Sequence, residues 1–316
     1  MPEGDSVWRV ARRLDERIKG HRVAASDFRV PRLATADVSG RTVLGTDTHG
    51  KHLLTRFDGD LTLHTHLRMD GSWTVVRPGK RLPRRVEPDV RVRLETDEGA
   101  TAYGLLLPVV ELVRTTAEHT VVGHLGPDPL REDWDRDEAV RRMRADPDRP
   151  LVAVLLDQRV LAGLGNLWAN ELAFLCRTSP WTRVGDMDDG AVAALVRLAA
   201  KALRGSATGV TGYQVTTGNT RRGESHWVAG RARQPCRRCG TTVQVVAGAN
   251  ERSERTNVTA ASRSADRAQR GSAVSGDPER RRTWWCPRCQ PGPVPEPTPA
   301  VRPRGEPARP RRRGDR

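Results

Sequence analysis

Residues 150–177 read PLVAVLLDQRVLAGLGNLWANELAFLCR and place two apolar helical segments on either side of a turn at Gly163–Gly165. Segments with helical spacing of apolar residues also lie on both sides of this stretch, DEAVRRMRA at 137–145 and DDGAVAALVRLAAKALRGS at 188–206. Glycine adopts the backbone conformations that end helices and form tight turns. The sequence therefore predicts a helical domain over residues 130–228, with a turn between two helices near its centre.

Residues 1–125 have a different pattern, in which one helix precedes many short strands. The stretch 5–19, DSVWRVARRLDERIK, repeats apolar residues at helical spacing, and Gly20 follows it. Beyond it, β-branched alternating segments such as DLTLHTHL (60–67) and DVRVRLET (89–96) are separated by Gly, Pro and Asp. This pattern predicts an N-terminal β-sandwich with a flanking helix. The stretch 123–130, GHLGPDPL, predicts a linker.

Four of the five cysteines form two Cys-x-x-Cys pairs, in PCRRCG (235–240) and WWCPRCQ (284–290). Thiolates are soft ligands suited to tetrahedral Zn²⁺, and two such pairs supply all four ligands. We therefore predict a C-terminal zinc ribbon at 229–291 with one structural zinc ion, bound by Cys236, Cys239, Cys286 and Cys289. Cys176, in the apolar run ELAFLC, predicts a buried side chain without a chemical role.

The two cysteine pairs are separated by 46 residues, which is long for a zinc ribbon. Most of this stretch is polar and shows no periodicity, so we expect a disordered insertion at about 248–280. Residues 292–316 are rich in proline and arginine and predict a disordered basic tail.

The chain is strongly basic, with 54 Lys and Arg residues against 39 Asp and Glu residues and a net charge of +15. Residues 221–316 hold 22 arginines and 9 acidic residues, so most of the excess lies there. A basic surface of this size favours a polyanionic partner, with nucleic acid first. A membrane partner is disfavoured because no long apolar run and no secretory leader are present.

The first residues, MPEGDS, allow two interpretations. Pro2 is tolerated in the first turn of a helix, and Glu3 and Asp5 can complement the positive end of its dipole. Alternatively, removal of Met1 exposes the secondary amine of Pro2, which is a nucleophile. The ten N-terminal residues alone favour the first interpretation.

Four separated motifs resemble one family. They are MPEGDS at the start, THGKHLL at 48–54, GLGNLWANE at 163–171, and the cysteine pairs with RRRTWWC at 280–286. In this order, across residues 1–291, they resemble the bacterial formamidopyrimidine-DNA glycosylase/endonuclease VIII family, with the endonuclease VIII branch closest. The resemblance implies an α+β multidomain protein, with a β-sandwich and flanking helix, a helix–two-turn–helix domain and a zinc ribbon.

The resemblance also implies a base-excision repair enzyme that cuts the glycosidic bond of a damaged base and then cleaves the strand by β,δ-elimination. Pro2 matches the family nucleophile, which forms a Schiff base with the sugar. Glu3 matches the general acid, and Lys51 matches a lysine that contacts the phosphate next to the lesion. Lys51 is the alternative nucleophile, because lysine can also form Schiff bases.

For DNA binding, the resemblance implies contacts from both C-terminal units. Asn166 matches a phosphate-binding asparagine of the helical domain, and Arg281 matches the phosphate-binding arginine of the zinc ribbon, with Arg280 and Arg282 as neighbours in register. Glu171 matches a family acid, for which a DNA-binding role and a hydrogen-bonding role at the edge of the core are both open.

Met69, in HLRMDG, matches a side chain that fills the gap left by the flipped base, while packing within a strand is its structural alternative. In the formamidopyrimidine branch, a later loop supplies an arginine and a phenylalanine. Here that loop reads TAYGLLL, with Tyr103 near the aromatic position and no arginine. This difference favours oxidised pyrimidines over oxidised purines as substrates.

Together, these features predict a monomeric bacterial enzyme of the cytoplasm and nucleoid that acts on damaged double-stranded DNA, and on single-stranded DNA as a further possibility. Three alternatives remain open. The chain could be a non-catalytic zinc-ribbon DNA-binding protein, a related glycosylase of oxidised purines, or a protein that binds RNA or single strands through its arginine tail.

Overall fold

The structure is a computed structural model that describes residues 2–246 and 282–294. The predicted insertion, Arg281 and the predicted tail beyond residue 294 lie outside the described residues. The helices of the described part are α1 (Gly4–Ile18), α2 (His119–Val122), α3 (Arg136–Arg144), α4 (Leu151–Leu156), α5 (Asn166–Leu175) and α6 (Asp189–Thr208). The strands are β1 (Val23–Phe28), β2 (Val43–His49), β3 (His52–Phe57), β4 (Leu61–His66), β5 (Ser72–Val76), β6 (Val90–Thr96), β7 (Thr101–Leu105), β8 (Val109–Val113), β9 (Gln244–Val246) and β10 (Thr283–Trp285).

Helix α1 lies where the sequence predicts a helix, beginning one residue earlier. Val7, Ala11, Leu14 and Ile18 recur every three or four residues and are buried against the sandwich. The helix stops before Gly20, whose φ of +82° lies in the region that glycine adopts without strain.

The eight strands that follow form two four-stranded antiparallel sheets, which confirms the predicted β-sandwich. One sheet has the order β1-β6-β7-β5, and the other has the order β2-β3-β4-β8. Alternate residues of β6 are buried, as expected for a strand with one face in the core. The core between the sheets is completed by α1 and includes Leu53, Phe57, Leu63, Val92 and Leu94.

The helical domain confirms the predicted turn and shows how it is made. Helix α4 ends at Leu156, because Asp157 has an extended backbone. The Asp157 carboxylate accepts hydrogen bonds from Arg149 and Arg159, which stabilises the turn. The chain turns again before α5 begins at Asn166, so the motif is a helix–two-turn–helix. Among the described helices, none combines the length and apolarity needed to cross a bilayer.

Strands β9 and β10 pair in antiparallel fashion beside the cysteine pairs. This unit packs against α5 through a small core of Phe174, Val228, Cys236, Val243 and Cys286. Trp285 also meets Trp181 edge to face, with 4.7 Å between ring centroids. The C-terminal unit is therefore fixed to the helical domain by α5.

Candidate active site

The carboxylate of Glu3 is completely buried at the N-terminus of α5. Its Oε1 accepts a hydrogen bond from the backbone N–H of Leu167 at 2.8 Å, and its Oε2 accepts from Gly165 at 2.9 Å and Trp168 at 3.3 Å. The first N–H groups of a helix have no partner within the helix and carry partial positive charge. Glu3 therefore caps α5, a contact that differs from the interaction with the dipole of α1 that one interpretation of the N-terminal residues suggested.

Burial raises the pKa of the Glu3 carboxyl group, while the positive charge of Lys51 and the hydrogen bond from Leu167 act in the opposite direction. Lys51 therefore lies within electrostatic range of Glu3. Pro2, which is half-buried, directly precedes Glu3 in the chain. The structure thus brings together three residues that the sequence separates by up to 49 positions.

Two glycines allow the N-terminus to approach the turn before α5 this closely. The Gly4 N–H donates to the Gly163 carbonyl oxygen at 2.8 Å, and a Cβ on Gly4 would lie 2.8 Å from Gly163 Cα. A Cβ on Gly165 would lie 2.4 Å from the Glu3 Cδ atom. Real Cβ contacts are not this short, so side chains at either position would displace the Glu3 carboxylate.

The hairpin turn between β2 and β3 brings Lys51 to the same place. Gly50 has a φ of +59°, and a Cβ there would lie 3.3 Å from Ala162 Cβ, beside the same turn. The Gly50 N–H donates to Asp128 Oδ2 at 2.7 Å. Burial raises the pKa of Asp128. No sequence pattern indicated a role for Asp128, because it lies in the stretch 123–130 that predicts a linker.

A chain of polar side chains that the sequence did not single out lies near Lys51, whose charge acts on His66. Glu111 Oε2 and His64 Nδ1 are 2.9 Å apart, and His64 Nε2 and His52 Nδ1 are 2.7 Å apart. Because an ionised carboxylate only accepts, His64 donates to Glu111 and in turn accepts from His52. The ring of His52 meets that of His66 edge to face, with 4.7 Å between centroids.

His52 and His66 are neutral at physiological pH. Burial, together with the charges of neighbouring histidines, lowers the pKa of His52 to about 2. Burial and the positive charge of Lys51 lower the pKa of His66 to about 4. The alternating strand pattern HTH at 64–66 is the only sequence signal that could have indicated a shared face.

Asn166 is nearly buried and joins α5 to the C-terminal unit. Its Nδ2 donates to the Arg282 carbonyl oxygen at 2.9 Å. One turn later, Asn170 Oδ1 accepts from the Trp284 N–H at 2.7 Å. The start of α5 therefore fixes the chain immediately after Arg281, which itself lies outside the described residues.

Glu171 is completely buried and organises the segment that precedes the first cysteine pair. Its carboxylate accepts hydrogen bonds at 2.8 Å from the backbone N–H groups of Trp227, Val228 and Ala229, and another from the Thr216 hydroxyl. This geometry corresponds to the hydrogen-bonding role at the core, the second of the two roles that the sequence left open.

Met69 lies in the turn between β4 and β5, outside any strand, and is half-buried. Tyr103 is 7% exposed and lies within β7, so the aromatic side chain is not in the following loop. The exposed apolar residue of that loop is Leu106, at 40% exposure and with a φ of +49°. Because Ser72 pairs with Leu105, the Met69 turn and this loop lie at the same end of the sheet.

The four paired cysteines converge, with their Sγ atoms all within 4.8 Å of one another. Hydrogen bonds from Thr241 lower the pKa of Cys239 to about 6. Four thiol groups at this spacing fit a tetrahedral metal ion. Within the described residues, no other group of histidines, cysteines or carboxylates has a comparable arrangement.

The model of the formamidopyrimidine-DNA glycosylase N-terminal domain matches residues 1–104, and the model of the formamidopyrimidine-DNA glycosylase H2TH domain matches residues 125–217. The structure of Lactococcus lactis formamidopyrimidine-DNA glycosylase with DNA containing an abasic site covers 92% of this chain and 100% of its own, with a TM-score of 0.67. At 22% sequence identity, this likeness shows the fold alone.

Curated relatives are more similar in sequence. The chain is 46% identical to "Probable endonuclease 8 2" of Streptomyces coelicolor, over 96% of this chain and 100% of the relative. It is 37% identical to "DNA-(apurinic or apyrimidinic site) lyase Nei2" of Mycolicibacterium smegmatis, over 92% of this chain and 99% of the relative. The chain therefore belongs to the formamidopyrimidine-DNA glycosylase/endonuclease VIII family, in its endonuclease VIII branch.

Replacement of Glu171 by alanine would leave three buried backbone N–H groups without an acceptor. We expect Glu171→Ala to lower the free energy of unfolding by about 3 kcal/mol or more, measured by urea denaturation. Glu16→Ala, on the exposed side of α1, is the matched control and should change this value by less than about 0.5 kcal/mol. Unchanged stability with weakened DNA binding would instead assign Glu171 to the DNA interface.

The histidine cluster should make stability depend on pH. His52 and His66 have folded-state pKa values below the unfolded value of about 6.5, so protonation favours unfolding. Their contribution is complete above about pH 6.5 and is lost as the pH falls, down to about 4 for His66 and about 2 for His52, at about 1.4 kcal/mol per pH unit for each histidine.

Urea denaturation at pH 7, 6 and 5 measures this slope. His52→Gln should flatten the slope, whereas His119→Gln, at an exposed position, should leave it unchanged. Equal slopes in the wild-type protein and His52→Gln would contradict the assignment.

Proposed function

We propose that this endonuclease VIII-type DNA glycosylase and abasic-site lyase removes oxidised pyrimidines from double-stranded DNA and then cleaves the strand by β,δ-elimination. The observation that carries the proposal is the placement of Pro2 next to a buried carboxyl group, Glu3, which α5 holds within electrostatic range of Lys51. A mobile terminus could not present a nucleophile to one atom of a sugar, whereas this one is fixed.

In this mechanism the nucleophile is the secondary amine of Pro2, exposed when Met1 is removed. An α-amino group has a pKa near 8, so a useful fraction is neutral at physiological pH. The amine nitrogen forms a bond to C1′ as the bond from C1′ to the damaged base breaks, and the base leaves with a proton. The product is an iminium ion that links the protein to the opened sugar.

The iminium ion then promotes strand cleavage. Its positive charge acidifies the C2′ protons, so that loss of one of them breaks the C3′–O bond and releases the 3′ phosphate. A second elimination breaks the C5′–O bond, and water then hydrolyses the remaining iminium ion, which releases the sugar fragment as a carbonyl compound and regenerates the Pro2 amine. Both flanking phosphates are thereby separated from the sugar.

Glu3 acts as the general acid that protonates the sugar ring oxygen when the ring opens. Burial raises the pKa of this carboxyl group, and a raised pKa supports the role because it favours the protonated form that a general acid needs. Lys51 acts at the adjacent phosphate, where its charge attracts the strand and also tunes the Glu3 carboxyl group.

DNA binding is assigned to the elements around this centre. The N-terminus of α5, with Asn166, and the ribbon segment that begins with Arg281 are proposed to hold phosphates on either side of the lesion. Met69 is proposed to fill the gap left by the flipped base, which is supported by its half-buried place in a turn rather than in a strand. The adjacent loop carries Leu106 and no arginine, and this supports the preference for pyrimidines.

The metal ion that the four cysteines would hold is assigned as one structural zinc. Four thiolates leave no open coordination position, so the ion would order the ribbon rather than take part in the reaction. The ribbon in turn presents its backbone to Asn166 and Asn170. We further propose that the enzyme acts as a monomer in the bacterial cytoplasm, on the DNA of the nucleoid.

Reduction with borohydride tests the central step, because it converts the iminium ion into a stable covalent adduct. We expect adducts with duplexes that contain an abasic site or 5-hydroxyuracil, and about tenfold less with 8-oxoguanine opposite cytosine. A short extension left on the N-terminus should abolish the adduct, because it turns the Pro2 amine into an amide.

Lys51→Ala should still form the adduct but slow cleavage by about 100-fold or more, whereas Lys80→Ala, at an exposed position, is the matched control. Loss of the adduct in Lys51→Ala, with retention in the N-terminally extended protein, would move the nucleophile to Lys51. If 8-oxoguanine gave more adduct than 5-hydroxyuracil, the proposed lesion preference would be wrong, but the proposed nucleophile would not be affected.

Elemental analysis tests the metal assignment. The purified protein should contain about one zinc ion per chain, and Cys236→Ser should lose it and unfold at a lower temperature. Cys176→Ser removes a thiol outside the cluster and should keep the zinc. A different metal at full occupancy, or zinc retained in Cys236→Ser, would contradict the assignment.

A further inference from the structure

A cavity of about 410 Å³ opens beside α6, between this helix and the segment that leads into α3. It is separate from the residues described above. Its walls combine long cationic side chains with one tryptophan and one alanine. The lining residues are Trp134, Arg136, Arg197, Ala200, Lys201 and Arg204.

The lining of this cavity holds four cations and no carboxylate. Of the acidic residues that flank Trp134, Asp133 pairs with Arg131, and Asp135 accepts a hydrogen bond from the Glu138 N–H at the start of α3. The side chains of Arg197 and Lys201 make no hydrogen bond or ion pair with the described residues. Arg136 pairs only with the exposed side chain of its neighbour Asp137, and Arg204 donates to the Pro129 carbonyl oxygen at 2.7 Å. Several cations around one cavity repel one another and favour an anionic occupant.

The floor of the cavity is apolar. Trp134 packs against the core of the helical domain and remains half-exposed on the cavity side. Ala200, beside it, is too small to cover the indole ring. A solvated row of charges on a helix needs no such floor, whereas a half-covered aromatic ring surrounded by cations is typical of a recognition site.

The cavity lies on the side of α6 away from the candidate active site. Ser206 Oγ donates to Asp5 Oδ2 at 2.5 Å, so the Ser206 side of α6 faces the N-terminus that carries Pro2. Arg197 is nine residues before Ser206, which at about 100° per residue places it on the opposite side of the helix. The damaged DNA strand at Pro2 and an occupant of this cavity would therefore not compete.

We propose that this cavity binds an acidic peptide segment of a partner protein, with one large apolar side chain seated on Trp134. Arg197, Lys201 and Arg204 extend over about 10 Å along α6. Alternate carboxylates of an extended peptide are about 7 Å apart and can reach successive members of this row. Arginine clusters beside an apolar pocket are a recurrent way to bind acidic motifs.

The test is fluorescence anisotropy with a labelled hexapeptide, Asp-Asp-Asp-Leu-Asp-Phe, and the full-length protein. We expect saturable binding that weakens with salt. Trp134→Ala and the double substitution R197E/K201E should each weaken it by about tenfold or more. R85E, which reverses an exposed charge in the β5–β6 loop, is the matched control. Cleavage of abasic DNA should be unchanged in all three variants.

The remaining probes separate this site from a general attraction to negative charge. A peptide with asparagine in place of aspartate and a peptide with serine in place of phenylalanine should both bind more weakly. The proposal is overturned if the hexapeptide does not bind, or if R85E weakens hexapeptide binding as much as R197E/K201E does. It is also overturned if Trp134→Ala weakens the binding of a labelled single-stranded oligonucleotide, dT6, but not the binding of the hexapeptide. The site would then bind single-stranded nucleic acid.

Discussion

The buried Glu3 carboxylate at the N-terminus of α5 is the interaction on which the rest of the site depends. Removing a carboxyl group from water is unfavourable, and three backbone N–H groups together with the helix dipole offset this loss. The geometry leaves no room for adjustment, because Gly4 and Gly165 must both lack side chains for the carboxylate to enter. A terminal segment that would otherwise fray is therefore fixed to the helical domain.

The turn before α5 also links the other parts of the molecule. Gly163 receives the N-terminal segment on one side and the Gly50 hairpin on the other, and Asp128 fixes that hairpin. The helix that starts at this turn then joins the C-terminal cysteine unit through Asn166 and Asn170. Pro2, Lys51 and this unit are thus positioned by about ten consecutive residues, which explains why GLGNLWANE is the most informative stretch of the sequence.

Features that repeat along the chain could be predicted from the sequence, whereas features made by contacts between distant residues could not. The apolar spacing in α1, the alternation in β6 and the paired cysteines each correspond to what the structure contains. Asp128 reads as part of a linker, and the chain from Glu111 through His64 to His52 spans two strand pairings that no local pattern specifies. The resemblance to a family indicated Pro2 and Lys51 as site residues. Which helix Glu3 caps became apparent only from the three-dimensional structure.

The hydrogen bond between Glu3 and Gly165 spans 162 residues, and this separation has a consequence for biosynthesis. The β-sandwich can fold while the chain is still being made, but Pro2 and Glu3 have no fixed position until the turn before α5 has left the ribosome. The site around Glu3 is therefore assembled late, after the helical domain has begun to form. A truncated product that ends before this turn would lack the backbone N–H groups that hold the Glu3 carboxylate, so its N-terminal segment would stay without a fixed position.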